Sequence, residues 1–400
     1  MTRYMTTLVL AAAVAVLVAA GAGAAGGLTL TKLDEDATTI TLGWTPVQGA
    51  IGYQFVSSLT PKRPHTWDAN RSTVRFAKGG TYKVVALLPG PDGSYPPPPP
   101  PPPSAAQVFL AVNGNDSNAC TQAQPCKSFQ RGYEKAQPGE TVEVAAGNYP
   151  AQQMRPDASK TSPNDVVIRP APGATVKVAG LNLGISETPN SGPKHLTIRD
   201  IGDSRNPQGA FTAIGVDDVT WENLDAANFR TDWSSNFTVR GGDWGPCTVP
   251  SSTCSNSKLD TSTGSNILIE GARFHDYRIV PNSGEHFECL IMFSGRNVTV
   301  RDSTFTDCEF YNIFVQHPAW AGYAGPDGTW PRDILLQRNT FTQPWENGRA
   351  GVRNTAVAFS PRNVPFYGVV LDCNTFGPGA EVSENDDGDG TPYQLTYVAC

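Results

Sequence analysis

The sequence carries little charge and lacks the short motifs that mark several common enzyme classes. Charged residues make up 17% of its 400 residues, and the net charge at pH 7 is −7. An acidic chain argues against nucleic acid as the main partner, because phosphate binding needs a basic surface. The sequence has no His-Glu-x-x-His, Cys-x-x-Cys, Gly-x-Ser-x-Gly or phosphate-loop motif. Zinc hydrolysis, a nucleophilic serine and phosphate-loop nucleotide binding are therefore unsupported.

Helix-forming patterns are also few, whereas turn-forming residues are plentiful. The chain has 39 Gly and 34 Pro, as a turn-rich all-β protein needs. Its eight cysteines are an even number, which fits disulfides formed in an oxidising compartment. Cys289 and Cys308 fall in adjacent repeats, and the sequence leaves their pairing open. We predict two pairs that close short loops and one that pins the C-terminal end, namely Cys120–Cys126, Cys247–Cys254 and Cys373–Cys400.

The N-terminus has the pattern of a secretion signal. Arg3 precedes an apolar run over residues 8–20, and the small residues Ala22 and Ala24 form a cleavage pattern. A membrane span is the alternative, but the run is short and is followed by glycine-rich sequence. We therefore predict a signal peptide over residues 1–25, and a secreted or cell-surface protein without a membrane span after cleavage.

Residues 28–95 read as a separate small domain. Trp44 on an early strand and Tyr82 on a late one suit the facing sheets of a β-sandwich. Around these two residues, and at Gly52 and Tyr53, the stretch resembles a short copy of a fibronectin type III domain. Four short strands separated by turn residues are predicted, at 38–44, 51–56, 72–76 and 81–87.

A run of eight consecutive prolines, residues 96–103, separates this stretch from the rest of the chain. Such a run adopts the extended polyproline II conformation, which rises by ~3.1 Å per residue and gives a length of about 25 Å. We predict that residues 96–104 are a semi-rigid spacer between two domains.

The C-terminal half repeats one pattern four times. Each copy opens with aliphatic residues at positions i and i+2, breaks at a small or polar residue, and places Phe at i+7. Period two is typical of a strand with one buried face. The copies start 31, 36 and 35 residues apart, which is typical of a solenoid whose units bury their faces against their neighbours. We therefore predict an all-β solenoid, with copies at residues 267–274, 298–305, 334–341 and 369–376.

The start of this region carries a more specific signal. Four blocks resemble the N-terminal cap and first coil of right-handed parallel β-helix proteins of the pectate-lyase-like superfamily, with Glu140 where Asp is usual. The resemblance implies a capping helix at about residues 128–136 and a right-handed parallel β-helix over residues 107–400. It implies no single activity, since the superfamily includes lyases, hydrolases, epimerases and non-catalytic adhesins. The blocks are residues 108–116, 125–129, 138–142 and 147–149.

Polar residues concentrate between Phe274 and His317, where three of the five histidines fall. Aligning the repeats on their Phe stacks Asp276 on Asp307. A second alignment, offset by 23 residues, leaves an eight-residue insertion between the two registers, which we expect to bulge out as a loop. We predict that this region carries any catalytic site, with the candidates His275, Asp276, Arg278, His286, Asp307 and Glu309.

Stacked carboxylates repel each other unless a cation bridges them or one keeps a proton. Asp276 and Asp307 are therefore predicted as a Ca²⁺ site or a general acid, and calcium is the one cofactor that the sequence suggests. The alternative is structural, with both carboxylates capping turns and Glu309 forming a ladder pair with Arg278 or His286.

A lyase would use Arg278 or His286 as the base, whereas a hydrolase would use Asp307 and Glu309 as its carboxylate pair. Both His286 and Glu309 are expected on the solvent-facing side of the coil. Four aromatic residues flank the long loops that follow, and we predict that they stack on sugar rings, with plugging the side of the solenoid as the alternative. They are Trp320, Tyr323, Trp330 and Trp345.

The combined prediction is a secreted, monomeric protein that binds, and by lyase or hydrolase chemistry cleaves, a polysaccharide or cell-surface glycan. The rival is a non-catalytic adhesion or structural protein, in which the solenoid is a rigid stalk or a binding face.

Overall fold

The structure is a computed structural model in which the chain divides into two compact units, with the boundary between residues 103 and 104. The predicted signal peptide and proline spacer lie outside the residues that it describes. No helix in the described part of the chain is both long and apolar enough to cross a membrane. The described residues are 30–35, 39–44, 52–57, 60–68, 73–77, 82–87, 106–204, 211–249, 255–260, 264–279, 287–316, 331–342, 344–346, 349–350, 354–360, 366–383 and 395–398.

The described strands of the N-terminal unit form two antiparallel sheets of three strands each. The four predicted strands are present, and two further strands, Leu30–Glu35 and Thr60–Asp68, were not indicated by the sequence pattern. Thr60–Asp68 lies at the edge of its sheet, which is where strands tolerate proline, because one side of an edge strand has no neighbour to bond. The resemblance to a fibronectin type III domain stays a prediction. In sheet order the strands are Leu30–Glu35, Thr39–Trp44 and Thr73–Ala77, then Thr60–Asp68, Gly52–Ser57 and Tyr82–Leu87.

The C-terminal unit is a parallel β-helix, as predicted, and its strands go in turn to three long sheets. The first sheet contains eleven strands: Ala106–Leu110, Thr141–Val144, Val166–Pro170, Lys194–Arg199, Asp217–Glu222, Ser235–Arg240, Ser265–Glu270, Arg296–Arg301, Arg332–Gln337, Tyr367–Asp372 and Leu395–Val398. The second contains ten: Gly147–Tyr149, Val176–Val178, Gly202–Asp203, Asp225–Ala226, Asp243–Trp244, Cys247–Val249, Arg273–Ile279, Thr304–Cys308, Thr340–Phe341 and Thr375–Phe376. The third contains nine: Gln152–Met154, Leu181–Leu183, Phe211–Ile214, Phe229–Asp232, Ser257–Leu259, Leu290–Met292, Ile313–Gln316, Thr355–Ser360 and Glu381–Ser383. A short antiparallel pair, Trp345–Glu346 with Arg349–Ala350, lies outside these sheets.

The first aliphatic residue of each predicted repeat forms one row inside the solenoid. Ile267, Val298, Ile334 and Val369 pair in consecutive register on the first sheet. All four are at most 1% exposed. This confirms the predicted repeat, because period-two strands stacked in register bury the same positions in every coil.

The break in each repeat is a residue with left-handed backbone conformation. Gly271, Asp302, Arg338 and Cys373 have φ angles between +50° and +64°. This conformation turns the chain from the first sheet into the second within two residues. The Phe at i+7 then points into the same interior from the second sheet. The four rings stack at centroid separations of 4.7 to 5.3 Å, in the order Phe274, Phe305, Phe341 and Phe376.

A short helix, Phe129–Lys135, lies at the position predicted for the cap. The Ser128 side chain accepts a hydrogen bond from the N–H of Arg131, which satisfies one of the free donors at the helix start. Buried Phe129 and Tyr133 face the first coils.

The structure shows two complete disulfides and one cysteine whose bonded partner is not described. Cys120–Cys126 is bonded as predicted, and the open pair Cys289–Cys308 is bonded as well. Cys247 is also disulfide-bonded, as predicted, but Cys254 lies outside the described residues. Cys400 lies outside them too, so its pairing with Cys373 stays a prediction.

Candidate functional site

The structure confirms both sequence alignments of the polar region. Phe274 pairs with Phe305 on the second sheet, which places Asp276 beside Asp307. Leu290 pairs with Ile313 on the third sheet, which is the predicted offset of 23 residues. Of the insertion expected between the two registers, residues 280–286 lie outside the described part.

His275 is held between two carboxylates of the second sheet. Its Nδ1 lies 2.7 Å from Asp276 Oδ2, and its Nε2 lies 3.1 Å from Asp243 Oδ1. The imidazole is nearly buried, whereas both carboxylates are more than 40% exposed. Each ring nitrogen of His275 therefore faces a carboxylate, and the catalytic role predicted for this residue stays a prediction.

Arg278 lies between the two stacked carboxylates. Its Nη2 is 3.6 Å from Asp276 Oδ1 and 3.5 Å from Asp307 Oδ1, and its Nη1 donates to the main-chain carbonyl of Asp307. The sequence left either a bridging cation or a retained proton to relieve the repulsion between these carboxylates, and the guanidinium supplies a cation. This explains the Asp276/Asp307 pair without a metal ion, so calcium binding there stays a prediction that the pair itself does not require.

Glu309 departs from the sequence expectation. It was expected on the solvent-facing side of the coil, but its side chain is 0% exposed, so that expectation is wrong. The N–H of Ile279 donates to Glu309 Oε2 at 3.4 Å. Glu309 follows disulfide-bonded Cys308, where a second-sheet strand ends, and the next third-sheet strand begins at Ile313, so Glu309 lies at the corner between the two sheets.

The remaining predicted site residues are not placed. His286, Trp320, Tyr323 and Trp330 lie outside the described residues, and of Trp345 only the backbone is described. Their proposed roles stay predictions.

The outer face of the third sheet carries a second group of charged residues that the sequence analysis did not single out. On this sheet, the residues that point away from the core form one row of register partners on successive strands. The row begins with polar residues and ends with apolar ones. The row is Asn182, Thr212, Arg230, Lys258, Ile291, Phe314 and Ala358.

The guanidinium of Arg230 contacts three carboxylates on this face. Its Nη2 lies 2.9 Å from both Asp232 Oδ2 and Glu187 Oε1, and its Nε lies 2.7 Å from Asp260 Oδ2. Lys258, one coil further along, is 3.3 Å from the same Asp260 oxygen. Burial alone would lower the pKa of Arg230, but the nearby carboxylates, Asp260 first, raise it above its ordinary value.

Two of these carboxylates are almost removed from solvent. Asp232 is 2% exposed and Asp260 is 8% exposed, although both lie outside the apolar core. Removing a carboxylate from water is costly unless it is paired with a cation. The burial of Asp232 and Asp260 therefore depends on the cations of Arg230 and Lys258. We call Arg230, Asp232, Lys258 and Asp260 the third-sheet cluster.

The apolar end of the same row is covered. Ile291, Phe314 and Ala358 are at most 5% exposed, although they point away from the core. They form a separate cluster with Tyr311, against which Phe310 also packs. The aromatic residues that pack here therefore shield this part of the outer face from solvent. The third-sheet cluster borders it, because Lys258 pairs with Ile291.

Comparison with known proteins supplies no closer assignment. No protein-family model and no curated protein sequence matches the chain. Among solved structures, XylC in complex with xylose has a TM-score of 0.39 at 8% identity, covering 67% of this chain and 65% of XylC. A Yersinia enterocolitica family 28 exopolygalacturonase has a TM-score of 0.36 at 12% identity, covering 94% and 85%. The A-module of the Azotobacter vinelandii mannuronan C-5 epimerase AlgE6 has a TM-score of 0.36 at 14% identity, covering 68% and 94%.

Proposed function

We propose that the β-helix unit binds a polysaccharide across the outer face of its third sheet and cleaves it with the carboxylates of Asp232 and Asp260. The observation that carries this proposal is their meeting on one guanidinium, that of Arg230, on adjacent coils. Glycosidic cleavage commonly uses two carboxyl groups about 5 to 10 Å apart. Two carboxylates that contact one guanidinium are close enough to act on the same bond.

The surroundings suit an extended ligand. Thr212, Arg230 and Lys258 lie on successive coils, so they present polar groups at intervals of about 4.8 Å along one face. The apolar cluster beginning at Ile291 ends this polar row. A sugar chain lying along the row would contact Arg230 and Lys258, whose cations also suit an acidic sugar.

The proposal includes export of the chain, a monomeric state and a fibronectin-type-III-like N-terminal domain. The four aromatic residues named from the sequence, Trp320, Tyr323, Trp330 and Trp345, are proposed to stack on further sugar units.

A panel of neutral and acidic polysaccharides incubated with the full chain tests the proposal. Absorbance of unsaturated products identifies a lyase, and new reducing ends without that absorbance identify a hydrolase. Asp260→Asn should reduce turnover at least a hundredfold, because the amide cannot replace a reacting carboxylate. Asp302→Asn is the matched control, since Asp302 is an exposed carboxylate that makes a surface ion pair with Arg338 at 2.7 Å.

A second candidate location is the second-sheet group, because Asp276 and Asp307 are stacked and about half exposed. If Asp307→Asn abolishes turnover while Asp260→Asn retains it, the site belongs there, with His286 as the proposed base. If no polysaccharide gives either product, the cleavage proposal fails and the adhesion function is favoured.

A further inference from the structure

Three side chains that can bind a metal stack on the first sheet, away from both charged groups described above. Val166 pairs with Leu196, and Leu196 pairs with Val219. The residues just before these three are Asp165, His195 and Asp218, so they occupy one column on three adjacent coils.

The donor atoms of this column converge. His195 Nδ1 lies 2.7 Å from Asp218 Oδ2, and one donor atom from each of Asp165, His195 and Asp218 lies within 4.8 Å of the others. Thr197 Oγ1 donates to Asp165 Oδ2 at 2.8 Å, which fixes the orientation of that carboxylate. All three donors are half-buried, so solvent can complete a coordination shell.

Further along the sheet, the same column contains asparagines, which bond to each other in a different way from the Asp-His-Asp group. Asn266 Nδ2 donates to Asn236 Oδ1 at 2.9 Å, and Asn297 Nδ2 donates to Asn266 Oδ1 at 2.8 Å. An amide ladder balances its own donors and acceptors, because each side chain supplies one of each to its neighbours. Two carboxylates around one imidazole supply mostly acceptors, so this end of the column suits a cation.

We propose that Asp165, His195 and Asp218 form a binding site for a divalent transition-metal ion of the zinc type. One imidazole nitrogen and two carboxylate oxygens are ligands that Zn²⁺ accepts, with water in the fourth position. Such an ion ties together three coils near the N-terminal cap.

His275 provides a matched comparison within the same protein. It also lies between two carboxylates, but Asp276 faces its Nδ1 and Asp243 faces its Nε2. The carboxylates are therefore on opposite edges of the ring, and one ion cannot contact all three residues. A histidine between two carboxylates is thus not enough to bind a metal ion. The site at His195 differs because its donor atoms converge on one point.

The test is calorimetric titration of the untagged full chain with ZnCl₂ after removal of metal by a chelator. We expect saturable binding of one ion that depends on His195, and a higher melting temperature in its presence. His195→Ala should abolish that binding, and Asp165→Asn should weaken it at least tenfold. Thr197→Val, which removes only the hydrogen bond that orients Asp165, should weaken it by about tenfold. His275→Gln should leave it unchanged.

Titration of Co²⁺ followed by its visible absorption gives a second readout, because the bands report nitrogen and oxygen coordination directly. If a variant is poorly folded, Asp218→Asn replaces it in both measurements. Zinc binding that survives His195→Ala, or the absence of saturable binding to the wild-type chain, would overturn the proposal. Tighter binding of Ca²⁺ than of Zn²⁺ would also overturn it, since Ca²⁺ prefers oxygen ligands to imidazole.

Discussion

The ring of Phe274 stacks on that of Phe305, with centroids 4.7 Å apart and planes only 2° from parallel. The two rings belong to adjacent coils, and both are 0% exposed. Phe305 also stacks on Phe341 at 5.3 Å, so it contacts a ring on each side. The residues at position i+7 of the repeat therefore form a stack of rings inside the solenoid.

Replacing Phe305 with Ala should therefore destabilise the β-helix. The loss of a buried ring between two others creates a cavity, which costs about 3–5 kcal/mol in the free energy of unfolding. Denaturant unfolding of the wild-type and variant chains measures the difference. Phe376→Ala is the control, because Phe376 is the last ring of the stack and is only half-buried, so it should lose much less. Equal losses at the two positions would contradict the stack as a source of stability.

The solenoid could be predicted from the sequence because its buried positions recur at a regular interval. Ile267 and its counterparts, and the Phe stack, follow from strands in register, and every coil repeats the requirement. The third-sheet cluster was missed because the loops before the third sheet vary in length, so Arg230 and Lys258 are 28 residues apart without a shared motif. Glu309 was misplaced because strand periodicity gives no information about the corner between two strands, where the chain changes direction.

Glu270 belongs to a ladder of alternating charge on the first sheet and should contribute to stability in a pH-dependent way. It lies 2.7 Å from Arg240 Nε and 3.0 Å from Arg301 Nε. Burial by itself would raise the pKa of Glu270, but Arg301 and Arg240 hold it below its usual value of 4.5. A carboxyl group with a lowered pKa in the folded state stabilises the protein above its unfolded pKa, and this contribution is lost as the pH falls below that value.

Glu270→Gln should therefore lower the free energy of unfolding by about 2 kcal/mol at pH 7. The difference from wild type should shrink as the pH falls below about 4.5, because the carboxyl group then takes up a proton in the unfolded state before it does in the folded state. Urea unfolding at several pH values measures it. Glu222→Gln is a suitable control, since the Glu222–Arg199 pair is longer, at 3.5 Å. A difference that is independent of pH would show that the ion pairs of Glu270 do not stabilise the fold.

The disulfides should differ in their effect on stability. Cys289–Cys308 closes a sequence separation of 19 residues, whereas Cys120–Cys126 closes one of 6. Because a longer loop restricts the unfolded chain more, replacing the first pair by Ala should cost about 3 kcal/mol and the second about 2 kcal/mol. Denaturant unfolding under non-reducing conditions checks the order.

Peptide mapping of the exported protein by mass spectrometry should also find Cys247 linked to Cys254 and Cys373 linked to Cys400. Recovery of either pair as alkylated thiols without reduction would refute that pairing.

Glu309 provides a test that separates a structural role from a catalytic one. Its carboxylate is fully buried and accepts a hydrogen bond from the N–H of Ile279. Glu309→Ala should lower the free energy of unfolding by at least about 1–3 kcal/mol, because it leaves this buried N–H without its acceptor and opens a cavity. Glu309→Gln keeps an oxygen at the same distance along the side chain, so it should be less destabilising. Thermal and denaturant unfolding of both variants measure the difference.

His286→Ala completes the comparison, since the sequence analysis predicts that this residue acts in turnover with little effect on stability. If the corner around Glu309 is structural, Glu309→Gln should retain turnover on whichever polysaccharide proves to be a substrate, while Glu309→Ala loses it only in proportion to the folded fraction. Loss of turnover in a Glu309→Gln variant with a wild-type melting temperature would instead require the buried carboxylate to take part in the reaction. That result would move the reacting groups from Asp232 and Asp260 to the corner between the second and third sheets.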